Sequence, residues 1–307
     1  MTQHSALPSA WHGLWRIAFG LVALLWWLLL AACIISAGAW AALYFYFAPH
    51  IADYKAAMER IGSEKTGLQV RIGSVHATQD LIPQFELRDV RVTDQAQHHA
   101  VQLPLALAGV SWRSLWHLRL ESMRLVAPQL EVRRDATGRI FVGGLDFSKG
   151  VGGSGSEAAD WFFSIRRFSV QSGQLRWSDE KRQLAPLQLQ DVQISIHNQR
   201  YQHRFYVSAT PDSAWGDPFE IQAQFHAPLL EKRVGSWRAW KGVIYSNMPF
   251  VNVAYLDAYL DPQLTIDYGT GSVRAWAEVA HSSVQGLTLD VGLGPSSLRL
   301  GPELENL

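Results

Sequence analysis

The chain is poor in reactive groups. Its 307 residues hold one cysteine, Cys33. Everything after it therefore has no disulfide, no thiolate metal site and no cysteine nucleophile. Net charge is absent too: Lys+Arg equals Asp+Glu. No basic run marks a nucleic-acid surface, so a nucleic-acid partner is not expected. There is no Gly-x-Ser-x-Gly, no phosphate loop and no His-Glu-x-x-His. His98-His99 read as a solvated turn, since neighbours on a strand point to opposite faces. His197 and His203 flank a turn-like stretch, but no carboxylate or cysteine completes a metal site. The reading is of a protein that is not an enzyme and carries no metal and no cofactor.

One segment lacks charge altogether. From Ile17 to Ala48 there is no charged residue and no histidine. A hydrocarbon core of ~30 Å needs about 20 apolar residues, and these thirty-two positions exceed that. A cleaved signal peptide has an apolar core of roughly 7–15 residues, about half as long. Leu30-Ala31-Ala32-Cys33 looks like a lipobox, yet Ile34, Ile35, Trp40, Leu43 and Phe45 continue the apolar run. The segment reads as an uncleaved spanning helix. Tyr44-Phe45-Tyr46-Phe47 forms an interfacial belt at one end, and Trp11 and Trp15 mark the other. Arg16 and the amino terminus favour the N-terminus inside, which places the rest outside the cytoplasm.

The order expected is a cytoplasmic segment 1–16, a membrane helix 17–48, a short amphipathic helix 49–66 and a β-rich domain 67–307. In the short helix Ile51, Tyr54, Met58 and Ile61 make one apolar stripe, suited to packing on the sheet or capping its end. From Gly67 the period becomes two. Alternation runs through Val70 and Ile72, Phe85-Glu86-Leu87-Arg88, Val101-Gln102-Leu103-Pro104-Leu105-Ala106-Leu107 and Leu130-Glu131-Val132-Arg133. It continues through Leu187-Gln188-Leu189, Ile194-Ser195-Ile196, Phe219 to Ala227, Leu264-Thr265-Ile266, Val273 to Val279 and Leu287-Thr288-Leu289. Each run has an apolar and a polar face. Crossover helices are missing, so the sheet is expected to be mostly antiparallel. Helical character beyond the anchor is confined to 50–65, 112–118 and 252–260. Residues 149–156, rich in Gly and Ser, read as a flexible loop within one extended sheet. Periodicity leaves three ways to cover the apolar side: a sandwich, a barrel or an open groove.

The ordered motifs resemble a family. After the anchor and short helix come Gly67-Leu68-Gln69-Val70-Arg71-Ile72-Gly73 and Pro83 to Val92. Leu125 to Arg134, Ser172 to Glu180, His203-Arg204-Phe205, Trp240 to Tyr245 and Gly269 to Trp276 follow. From about residue 20 to the end the chain is similar to AsmA-like proteins, most closely to the YhdP branch. That resemblance implies anchorage in the bacterial inner membrane, single-pass, with the bulk periplasmic. It implies a curved, mostly antiparallel sheet forming an open groove, the architecture of bridge-like lipid-transfer proteins. Membrane phospholipids would be the cargo, with outer-membrane or periplasmic proteins as further partners. The groove lining implied is Val70, Ile72, Leu187, Leu189, Ile194, Ile196, Phe219, Ile221, Phe225, Leu264, Ile266, Leu287 and Leu289. Members of this branch are several times longer, so the chain is expected to be only the first section of the device, incomplete at its C-terminus. A scaffold for outer-membrane β-proteins, as the TamB relatives are thought to be, is the alternative.

Overall fold

The computed structural model describes residues 9–42, 45–46, 50–66, 68–78, 84–93, 99–111, 120–146, 160–183, 186–229, 233, 235–252 and 264–300. The chain divides into two units, 1–49 and 50–307. The first holds one helix, α1 (Ser9–Ala42), which starts eight residues before the uncharged run. Within it Phe19–Ala42 is long and apolar enough to cross a membrane, with mean hydropathy 2.4. Its side chains lie bare, Trp26 and Trp27 at 69% and 70% exposure. A helix apolar on all sides and unburied is what a lipid environment selects. Cys33 is exposed on it.

The second unit opens with a 3-10 turn, Ile51–Tyr54, that runs into α2 (Lys55–Thr66). The strands follow in one sheet. They are β1 (Gln69–Arg71), β2 (Ser74–Thr78), β3 (Gln84–Thr93), β4 (His99–Gly109), β5 (Ser122–Val126), β6 (Gln129–Arg134), β7 (Ile140–Val142) and β8 (Leu145–Asp146). Then come β9 (Arg167–Asp179), β10 (Leu187–Asn198), β11 (Gln202–Pro211), β12 (Phe219–His226), β13 (Lys241–Asn252), β14 (Leu264–Ala280) and β15 (Ser283–Leu300). From β9 to β15 each strand pairs antiparallel with the next. A meander of this kind needs only short turns.

The sheet is mostly antiparallel, as expected, and one strand adds parallel pairing: β9 pairs in parallel with β5 and then with β6. The chain before β9 carries the hairpin β7–β8 and a helical turn at 160–164, which supplies the length a parallel return requires. One finding departs from the sequence reading: His99 belongs to strand β4, not to a turn. The expected helices at 112–118 and 252–260 and the loop 149–156 lie outside the described residues, save that Asn252 ends β13.

Helix α2 sits on the free edge of β1. The Val70 N–H donates to Ser63 Oγ (3.0 Å) and the Ile72 N–H to Glu59 Oε1 (2.7 Å). Lys55 Nζ donates to the Gly73 carbonyl (2.9 Å). Side chains of one helix thus satisfy the donors that an edge strand would offer to another chain. Gly62 faces the Val70 side chain, where a Cβ would stand in ordinary contact at 3.4 Å. At the other end of the sheet β15 pairs, among the described residues, only with β14.

Candidate functional site

Registers decide which side chains share a face. Across six neighbouring positions in the sheet the apolar residues follow one spacing, two–three–two. It reads Val70, Ile72, Val75, Ala77 on β1 and β2, and Phe85, Leu87, Val90, Val92 on β3. On β4 it reads Val101, Leu103, Ala106, Ala108; on β5 and β6, Met123, Leu125, Pro128, Leu130. On β9 it reads Phe168, Val170, Gly173, Leu175, and on β10 Leu187, Leu189, Val192, Ile194. The three-residue step places an extra residue in each strand, and a bulge absorbs it. Asp89, Ala127, Ser172 and Asp191 take it up in the left-handed region, with φ of 53°, 50°, 51° and 47°. Without the bulge, half of each strand would turn its apolar side chains to the polar face.

From β1 to β9 these bulges line up from strand to strand, and on β10 the extra residue sits one pair along, with Val192 opposite Gly173 and Leu189 opposite Leu175. Gly73 lies against Asp89, with the Gly73 N–H donating to the Arg88 and Asp89 carbonyls at 3.0 and 3.2 Å. Gly173 lies between Val192 and Pro128, where a Cβ would meet the Val192 carbonyl at 3.3 Å and Pro128 Cγ at 3.4 Å. The result is a crease running across the strands. Residues along it are well enclosed: Val75, Ala106, Val170, Val192 and Ala209 keep 2–8% exposure. Among the described residues no second sheet lies over them. The sheet is thus an open groove, neither a sandwich nor a closed barrel.

Beyond the crease strand the apolar face continues in register. Ile194 and Ile196 lie beside Val207 and Phe205, and these beside Ile221 and Ala223. Ser246 and Ile244, Ala275 and Ala277, then Leu289 and Leu287 complete the row to β15. At β15 the face lies open: Leu287, Leu289, Val291 and Leu293 are 48–60% exposed. All the expected lining residues except Leu264 and Ile266 fall on this one face. Those two open β14, opposite Leu300 and Leu298. Ile72 and Ile196 are buried within the floor at 5% and 6% exposure. The strict alternation read for β4 was misplaced on its second half. Leu105 and Leu107 pair with Arg88 and Glu86, in the polar rows, and Ala106 and Ala108 face the groove. The two–three–two spacing was the available signal.

One side of the groove is walled by aromatic rings. Phe163, from the helical turn, meets Trp240 edge-on at 4.8 Å, and Phe205 meets Phe225 at 5.7 Å. His203 stacks on Trp240. The two segments that bring Phe163 and Trp240 in are tied by Asp160, which accepts from Arg233 (2.7 and 2.9 Å) and from the Gly235 N–H (2.7 Å). Asn198 anchors the wall below: its Nδ2 donates to the Ile165 carbonyl at 2.8 Å. His197 and His203 fall on opposite faces, because His203 is paired with Asn198 and His197 with Arg204. Burial, with the His226 charge second, pushes the His203 pKa down to about 4. Among the described residues no cluster of His, Cys, Asp or Glu could hold a metal.

The opposite face is not uniformly polar. Tyr206, Tyr245 and Trp276 follow one another across β11, β13 and β14, with Gln222 between, around a concavity of about 400 Å³. Alternation had placed Trp276 with polar residues, and it lies there, 43% exposed.

A protein-family model described as YhdP protein matches residues 14–307. No curated protein and no solved structure matches the chain.

Proposed function

The chain belongs to the YhdP family of AsmA-like envelope proteins, and from that membership and the groove we propose that it takes up phospholipid acyl chains on the apolar face and passes them from strand to strand. The observation that carries this reading is the apolar face that runs in register from β1 to β15. Each CH₂ held out of water is worth ~0.8 kcal/mol. A continuous apolar track removes most of that cost for a lipid crossing an aqueous space, while head groups stay in water at the strand ends. No bond is made or broken, and no catalytic group is required. In this reading α1 spans the inner membrane with the N-terminus in the cytoplasm, and the sheet conducts lipid across the periplasm toward the outer membrane. Its service is to outer-membrane lipid supply and the permeability barrier.

The thirteen residues expected to line the groove are proposed as its acyl-chain contacts, with Leu175, Val207, Ile244 and Leu293 added from the registers. A second reading, a scaffold for outer-membrane β-proteins, is favoured by the outer edge of β15, which could take a further strand.

The test is photo-crosslinking of the full chain in a diderm envelope. Probes at Ile221 and Leu289 should yield phospholipid adducts by mass spectrometry, and a probe at Gln222 on the other face should not. Adducts to protein alone would sink the lipid reading and support the scaffold. A reporter fused after Leu307 should be active in the periplasm; cytoplasmic activity would overturn the orientation.

A further inference from the structure

The strands β9 to β15 reach one side of the sheet at four segments, 160–167, 199–202, 227–241 and 281–282. Among their described residues six are Arg or Lys and one, Asp160, is acidic. The six are Arg166, Arg167, Arg200, Arg233, Arg238 and Lys241, all exposed. Asp160 is taken up by Arg233, and Arg166 pairs with Glu121 at the start of β5. The connections on the opposite side, 135–139, 180–186 and 212–218, show no such surplus. Their described residues include Asp135, Glu180, Asp212 and Asp217 against Arg139, Lys181 and Arg182.

Large apolar side chains stand bare on the basic side. Trp161 is 52% exposed, Trp237 38% and Leu229 73%. Arg238 lies over the Trp237 ring at 4.7 Å and Arg200 over Tyr201 at 5.1 Å. The Asp160 bonds to Arg233 and Gly235 hold the segments of Trp161 and Trp237 together. Four strand spacings separate β9 from β13, so the charge is spread over about 20 Å. A line of arginines with two indoles and a leucine among them suits an extended anionic, partly apolar surface. Indoles settle at the boundary between head groups and hydrocarbon, and arginines pair with anionic head groups.

We infer that this edge docks on an anionic phospholipid bilayer surface, Trp161, Trp237 and Leu229 entering the interface and Arg167, Arg200, Arg238 and Lys241 meeting the head groups. The inference stands on the edge alone and is independent of what the groove carries. Docking there would hold the walled side of the groove against a membrane.

The test uses the full chain carrying C33S, held by its helix in nanodiscs. Single cysteines W161C and W237C are labelled with an environment-sensitive dye. In one arm the nanodisc contains phosphatidylglycerol; in the other, phosphatidylglycerol vesicles are added to phosphatidylcholine nanodiscs. A blue shift of the dye is expected in at least one arm and not with phosphatidylcholine alone. High salt should reverse it. R167E/R200E/R238E should raise the vesicle concentration for half-maximal change by on the order of tenfold or more, with R167K/R200K/R238K unchanged. R167Q/R200Q/R238Q serves where the glutamates prevent folding. No shift with phosphatidylglycerol overturns the inference, as does an equal response of the glutamate or glutamine variant. A shift that follows protein concentration without anionic lipid assigns the edge to self-association and overturns it as well.

Discussion

His203 and Trp240 lie face to face, with 3.8 Å between ring centroids and 9° between planes. The imidazole is fully buried. Asn198 fixes its tautomer: Nδ2 is committed to the Ile165 carbonyl, so Oδ1 faces His203 Nδ1 at 2.9 Å and accepts its proton. Burial keeps the ring neutral, and among the described residues Nε2 has no hydrogen-bond partner.

This pairing makes stability depend on pH in a defined window. The folded pKa of His203 is about 4, against an ordinary 6.5. Between those values the unfolded chain binds more protons than the folded one. The contribution is complete above about pH 6.5 and is lost as pH falls toward about 4, with a slope of at most ~1.4 kcal/mol per pH unit. Urea midpoints of the full chain in detergent should fall through this window. H203Q should flatten that part of the curve; an unaltered slope would assign the effect to other groups.

The crease carries its own test. Ser172 and Asp191 adopt the left-handed conformation without being glycine. S172G should be neutral or stabilising, whereas S172V or D191V should each cost about 1–2 kcal/mol. Deleting Asp191 should cost more, because Leu187 and Leu189 would turn to the polar face. Denaturant midpoints of the four variants give the order.

The cap on β1 predicts a local effect. E59A leaves the Ile72 N–H without its acceptor. A loss of about 1–3 kcal/mol is expected, with faster hydrogen exchange at Ile72 and a rise in self-association through the bared edge. E59Q, which keeps an acceptor oxygen, should restore most of the protection.

The wall depends on Asp160. D160A removes the acceptor for Arg233 and for the Gly235 N–H. Trypsin should then cleave at Arg233 and Arg238 faster than in the parent, while cleavage at Arg182 on the other side of the sheet stays unchanged. Equal acceleration at both places would mean global unfolding rather than release of the wall.

Much of this was legible beforehand. An uncharged run from Ile17 has no stable solvent but lipid, and α1 answers it. The Ile51, Tyr54, Met58, Ile61 spacing marked the short helical pair but not the face it turns to the sheet, since Tyr54 and Ile61 are 40% and 53% exposed while Glu59 and Ser63 meet β1; alternation marked the strands of the meander. Eleven of the thirteen residues expected to line the groove share one face, all but Leu264 and Ile266, because period two is a geometric property of an extended chain. Less was legible where strands slip. Alternation was read as unbroken in Val101 to Leu107, and only partners on either side show that Leu105 and Leu107 have crossed over. The parallel pairing of β9 was missed because parallel return depends on a distant connection, not on the strands themselves. His197 and His203 looked like a pair in the chain and are separated by the sheet.

The sequence alone determined the anchor, the strand content and the alternating faces, since these follow from local periodicity and the cost of exposing apolar side chains. The tertiary structure decided the rest. Whether the bulges of neighbouring strands meet, whether Asp160 reaches Arg233, and whether the arginines of three connections share an edge are questions of register between segments far apart in the chain. Register is set by pairing energies summed across neighbouring strands, and no single segment contains that sum.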